Sequence, residues 1–182
     1  MTSIEKANKI NKKKLKVSLS LLIFTKDIDG QTKALIQQRG PWDYEKDQPQ
    51  TYVGAWQTSV HGKLENIWEG LARETREELG DDFASQLNES EVIAMEHEEP
   101  TEDSRRVFHH LTFVPLEKIK SIKLHSSSSG FKMVTEEEVK KFRPIDIILH
   151  RDSGVPKDGI WMFDDEISSL LDGFEFIQKN IS

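Results

Sequence analysis

Apolar residues in the run Val17 to Phe24 (V-S-L-S-L-L-I-F) fall at every second position, Val17, Leu19, Leu21 and Ile23, which is the period of a β-strand. Asp29-Gly30 is a turn dipeptide and Lys33 to Arg39 follows it, so the first forty residues predict a β-hairpin. A polar stretch from Gly40 to Gln50, interleaved with Trp42 and Tyr44, leads to a third strand expected around Tyr52 to Val60. The period then changes. In Glu65 to Gly80, the residues Ile67, Trp68, Leu71, Ala72, Thr75 and Leu79 share one face about 140° wide, so this stretch predicts a helix docked on a core. Asn66 with Glu69 supplies a start signal and Gly80 a stop that tolerates a left-handed turn.

Beyond that helix, Val92 to Met95 and Arg106 to Val114 read as strands. The second puts Val107, His109, Leu111 and Phe113 on one side and Phe108, His110, Thr112 and Val114 on the other. Ser126 to Gly130 reads as a flexible loop, and Phe131 and Met133 alternate as a short strand. Thr135 and Glu138 form a capping box for a short helix bearing Val139 and Phe142. Asp164 to Asn180 closes the chain as a helix with Ile167, Leu170, Leu171, Phe174 and Ile177 toward the core.

Composition narrows the function. A chain of 182 residues buries about 70% of its extended surface, enough for one domain, expected here over residues 15–182. Residues 1–14 read as a basic, solvated arm, and the first sixteen residues carry six lysines. Although this arm and the apolar run after it resemble the front of a signal peptide, T-K-D-I-D-G follows, with no small-residue cleavage site. The net charge of -7 argues against a nucleic-acid polymer as partner. No window has the 18 or more apolar residues of a membrane span. The absence of cysteine excludes disulfides and thiolate zinc sites and fits a cytoplasmic location.

The candidate chemistry sits on the first helix. Glu74, Glu77 and Glu78 share an arc of about 100°, and carboxylates crowded at the edge of an apolar face repel one another and lose hydration. A hard divalent cation, Mg²⁺ above all, suits such oxygen donors. Gly70, one turn before Glu74, leaves room on the same arc. The same spacing also describes a solvated acidic face on an amphipathic helix.

The stretch R-E-T-R-E-E-L-G, Arg73 to Gly80, resembles the core of the Nudix box, with Arg73, Glu74, Glu77, Glu78 and Gly80 on its fixed positions. Upstream the match departs from the motif. Without a gap, Ser59 stands where the family has its leading Gly, whereas a gapped pairing sets His61-Gly62-Lys63-Leu64-Glu65 on the Gly-Gly-x-apolar-Glu turn and Trp56 on the preceding aromatic. The resemblance implies an α/β/α sandwich with a mixed sheet, Mg²⁺ (or Mn²⁺) held by Glu74, Glu77 and Glu78, and hydrolysis of a diphosphate bond in a small nucleotide-type substrate. It implies that Arg73 orients the carboxylates through salt bridges and that Gly62, Lys63 and Trp56 lie at the substrate, with Gly62 turning the chain out of its strand. It also leaves open a Nudix domain that binds a nucleotide or protein without cleaving it, and an oligomeric state that includes a homodimer. Isopentenyl-diphosphate isomerisation, which uses the same fold, relies in its familiar form on a cysteine that this chain lacks.

Other candidates are weaker. Arg39, at its strand end, is placed to reach a phosphate, and Trp42, Tyr44, Tyr52 and Trp56 offer faces for a base or for packing over the sheet. The acidic run Glu96 to Asp103 offers an extra metal ligand or a base. His109 and His110 lack ligand company and read as structural, and His150-Arg151-Asp152 lacks the other parts of a kinase loop.

Overall fold

The computed structural model describes residues 16–58, 60–63, 67–95 and 105–181. The N-terminal arm, Ser59, Glu65, the Asn66 cap and the Glu96 to Asp103 run lie outside them. The expected hairpin is present. Strand β1 (Lys16–Lys26) pairs antiparallel with β2 (Thr32–Arg39), with Phe24 opposite Ala34. Asp27 Oδ1 accepts the backbone N–H of Asp29 and of Gln31, and Gly30, at φ +76°, takes the left-handed conformation that the turn needs.

The expected third strand divides between two partners. Trp56–Thr58 (β5) pairs with β2, while Val60–Lys63 (β6) pairs with β1, and Tyr52, at φ +54°, belongs to the preceding turn. On its other side β1 runs parallel to β8 (Arg105–Phe113), from Lys16 opposite Arg105 to Phe24 opposite Phe113, and β7 (Val92–Ala94) continues the sheet on β8. Strand β9 (Ser128–Val134) lies antiparallel along β2. This corrects the expectation of a flexible loop at Ser126 to Gly130: Ser128 pairs with Arg39 and Gly130 with Gln38, with a register shift there. Short strands β10 (Arg143–Pro144) and β11 (Trp161–Met162) extend the sheet beyond β5. Parallel and antiparallel pairings coexist, so the sheet is mixed.

Two helices cover its faces, α1 (Ile67–Leu79) and the C-terminal α6 (Asp164–Asn180). Successive side chains of a strand point to opposite faces. Accordingly Leu22 and Phe24 pack with Leu170, Phe174 and Ile177 of α6, whereas Leu19, Leu21 and Ile23 pack with Leu71 and Leu79 of α1. Strand β1 is therefore buried on both sides, including Ser20, whose hydroxyl lies 3.5 Å from that of Thr58. Among the described residues four short α-helices fill connections: α2 (Asp81–Ala84), α3 (Leu116–Ile119), α4 (Glu136–Val139), which carries the expected Thr135–Glu138 capping box, and α5 (His150–Ser153). Among the described residues no helix is long and apolar enough to cross a membrane.

Both central histidines are structural. His109 Nε2 lies 3.1 Å from Ser169 Oγ of α6, and His110 Nδ1 lies 3.2 Å from the Phe108 carbonyl. Burial pushes the His110 pKa below the ordinary imidazole range. The unfolded chain therefore takes up more protons as the pH falls through about 6.5, and stability falls with it. Melting temperatures should drop on acidification across that window, and the drop should be smaller in His110→Gln; an identical slope in both proteins would refute the assignment.

Gly173 fixes how closely α6 approaches β1. A Cβ there would lie 2.7 Å from Phe24 Cζ, and the Phe24 ring is wholly buried and meets Phe174 edge-on at 4.9 Å. The gain in helix propensity of Gly173→Ala, about 1 kcal/mol, should be outweighed by overpacking of about 1–3 kcal/mol. Thermal unfolding should show a lowered melting temperature; a raised one would mean that the Phe24 ring yields.

Candidate functional site

Helix α1 docks through Gly70, Leu71, Thr75 and Leu79, all buried, and Thr75 Oγ1 donates 2.7 Å to the Leu71 carbonyl, which satisfies its hydroxyl in the core. The apolar face is narrower than the sequence suggests, for Ile67 is 46% exposed. Arg73 lies between the first two carboxylates. One guanidinium nitrogen is 2.7 Å from Glu74 and another is 3.2 Å from Glu77, and the charge of Glu74 foremost raises the Arg73 pKa. The positive charge that crowded carboxylates require is thus supplied in part by the chain itself.

Glu78 turns to the sheet. Its Oε2 accepts from Gln37 Nε2 at 3.0 Å, and Gln37 Oε1 in turn accepts from Ser128 Oγ at 2.8 Å. The end of α1 is secured by the chain before β9. Lys123 N–H donates to the Leu79 carbonyl and His125 N–H to the Glu78 carbonyl, which satisfies two of the acceptors that a helix C-terminus leaves open. Gly80 leaves the helix at φ +90°, and a Cβ there would meet Lys123 at 3.1 Å, so both backbone and space require glycine.

Register brings further residues to this face. On β2, Leu35 packs in the α1-side core and Gln37 follows two residues later on the same side, opposite Gln57 of β5 and Phe131 of β9. Phe131 is 39% exposed there. Arg39 donates through Nε to the Thr51 carbonyl and through Nη1 to Gln57 Oε1, both at 3.1 Å. Burial lowers its pKa, with the charges of Glu166 and Glu78 opposing that, and a guanidinium stays charged at neutral pH. The insertion after Arg39 is a small hairpin, β3 (Trp42–Asp43) with β4 (Gln48–Pro49), tied to the same region through Ser127: Ser127 Oγ accepts from the Tyr44 N–H and the Ser127 carbonyl from Gln50 Nε2.

No protein-family model and no curated protein matches the sequence. Solved structures do. A MutT/nudix family protein from Listeria innocua superposes with a TM-score of 0.60 at 15% identity, over 91% of this chain and 96% of that one. The NUDIX domain of Shewanella oneidensis NrtR, complexed with ADP ribose, gives 0.56 at 13% identity, over 98% of this chain and 99% of that one. An Ap4A hydrolase from C. elegans, in a binary complex, gives 0.51 at 16% identity, over 90% and 98%. The chain has the Nudix fold.

On this Nudix fold two of the sequence expectations need correction. Trp56 is only 7% exposed, packs in the α6-side core with Lys132 Nζ 5.1 Å from its ring centre, and lies opposite Gln38, on the face away from Gln37 and Glu78. It is a core residue, not a stacking surface at the carboxylates. Gly62 does not turn the chain: its backbone is in β6, opposite Leu19, with Lys63 next, opposite Ser18, and the connection to α1 comes after Lys63. Tyr52 packs edge-on against Phe163 at 5.0 Å, as a packing aromatic would.

The donor set suits a hard cation, being three carboxylates on adjacent turns of one helix. Among the described residues, though, no three acidic or imidazole side chains are gathered closely enough to enclose an ion: Arg73 lies between Glu74 and Glu77, and Glu78 accepts from Gln37. Gln37, Gln57, Ser128 and Phe131 are the site residues that sequence reasoning missed. The available signal was a glutamine two residues after Leu35, which strand alternation turns to the same buried face.

Arg73 provides a check on this geometry. Arg73→Lys keeps the charge but loses the fork that spans two carboxylates. Because the bridges are partly exposed, the melting temperature without metal should change little, and a marked loss would mean that the fork supports the fold itself.

Proposed function

We propose that this protein is a Mg²⁺-dependent hydrolase of a diphosphate bond in a nucleotide or nucleoside-diphosphate-linked substrate. The observation that carries the reading is the placing of Glu74, Glu77 and Glu78 on adjacent turns of α1, beside a sheet face that presents Arg39 and Phe131. Glu74, Glu77 and Glu78 would hold the metal. When bound, it would supply charge to offset that of the diphosphate and would make a water a better nucleophile. Arg73 holds Glu74 and Glu77 together at one cation, which limits the repulsion of an empty site. Arg39, held by two neutral oxygens, keeps its charge for a phosphate. Phe131 offers an apolar plane to a base. Structural neighbours described as complexed with ADP ribose or as Ap4A hydrolase support this substrate class.

A second reading is a domain that binds such a nucleotide without cleaving it. It is favoured by the capture of Glu74 and Glu77 by Arg73, which lets an acidic cluster persist without metal. One experiment separates the two. A panel of dinucleoside polyphosphates, nucleotide sugars, ADP-ribose and nucleoside triphosphates is incubated with Mg²⁺, and released phosphate or mononucleotide is measured. Turnover should vanish with EDTA and return with Mg²⁺ or Mn²⁺. It should fall by orders of magnitude in Glu78→Gln and persist in Glu69→Gln on the same helix. Ligand-induced thermal stabilisation without turnover would assign the binding role, and full activity in metal-free buffer would overturn the metal-dependent mechanism.

A further inference from the structure

The α1-facing side of β2 runs from Leu35, 1% exposed in the apolar core, to Gln37, 0% exposed and polar. Burying an amide is costly unless its donors and acceptor are met. The Gln37 amide is met in one sense only. An ionised carboxylate accepts and cannot donate, so Nε2 must face Glu78 Oε2, 3.0 Å away, which leaves Oε1 to accept from Ser128 Oγ at 2.8 Å. Ser128 is itself fixed, since its N–H donates to the His125 carbonyl while His125 N–H donates to the Glu78 carbonyl. One turn before β9 therefore holds both the backbone of Glu78 and the hydroxyl that orients the amide on its side chain.

We propose that Gln37 and Ser128 are positioning residues that aim the Glu78 carboxylate at the metal, an inference that rests on the metal-dependent reading above. A carboxylate offers about four lone-pair sites, so the bond from Gln37 leaves Glu78 capacity to ligate. What the bond removes is rotational freedom. Groups that hold a metal ligand by hydrogen bonds in this way set its direction and basicity, and their loss costs about 10–100-fold in metal affinity or activity. The Ser128 hydroxyl acts one bond further out: without it the amide loses its second anchor and can rotate its oxygen toward Glu78, where two acceptors would repel.

The test is Mn²⁺ alone, titrated into the full chain with free Mn²⁺ read by electron paramagnetic resonance, in wild type, Gln37→Met, Ser128→Ala and Ser128→Thr. Gln37→Met should weaken Mn²⁺ binding about tenfold, and Ser128→Ala should weaken it in the same direction by less. Ser128→Thr, which keeps the hydroxyl, should restore it. The midpoint of metal activation should shift with affinity, while saturating Mn²⁺ recovers most of kcat and leaves KM for substrate little changed. A residue that merely supports the fold would lower the melting temperature without moving that midpoint. Folded variants with wild-type Mn²⁺ affinity would overturn the positioning role while leaving the hydrolase reading intact. Wild type that turns over substrate but binds no Mn²⁺ would overturn both the metal reading and this one. If Gln37→Met does not fold, the Ser128 pair decides alone.

Discussion

The two-sided burial of β1 is the constraint on which the rest of the molecule depends. Leu22 and Phe24 must be covered by α6 and Leu19, Leu21 and Ile23 by α1, so both helices are required and each has one face it can use. Once α1 is seated through Leu71, Thr75 and Leu79, the position of Glu78 over β2 follows from helix geometry. The carboxylates are placed by packing.

That constraint also explains what was legible. A helix or strand buried along one stripe declares itself in its own period, so α1, α6, β8 and the first hairpin, with the Thr135 capping box, could be read locally. Partner choice could not. Strand β9 meets β2 across a separation of roughly ninety residues, and nothing in Ser126 to Gly130 distinguishes a free serine-rich loop from a turn that caps α1 and enters a strand. The place of Trp56 is not legible for the same reason: whether an aromatic faces substrate or core depends on which side of β5 meets α6.

Polar residues inside the sheet were least legible. Thr58 donates through its N–H and hydroxyl to Glu166 Oε1 of α6, and Glu166 is only 4% exposed, yet Asp164 to Glu166 reads in sequence as an ordinary acidic start to a helix. Gln37 likewise reads as an interruption of a strand. In both cases the residue makes sense only with its distant partner, because a buried polar group is explained by its hydrogen bonds and not by its neighbours in sequence.

The electrostatics of the site follow a single logic. Net charge is -7, so a diphosphate of the proposed class would meet a repulsive molecule and an acidic helix. Arg73 offsets that locally, but its guanidinium is committed to Glu74 and Glu77. Arg39 stands on the sheet, held by the Thr51 carbonyl and Gln57, and the charges of Glu166 and Glu78 help keep it protonated despite burial. A bound metal would shift this balance by drawing carboxylates away from Arg73. The guanidinium so released would stand beside an anionic substrate. If the glutamates hold a cation, as proposed above, carboxylate capture by Arg73 would compete with it, and the affinity for metal would be set by the difference between the two states.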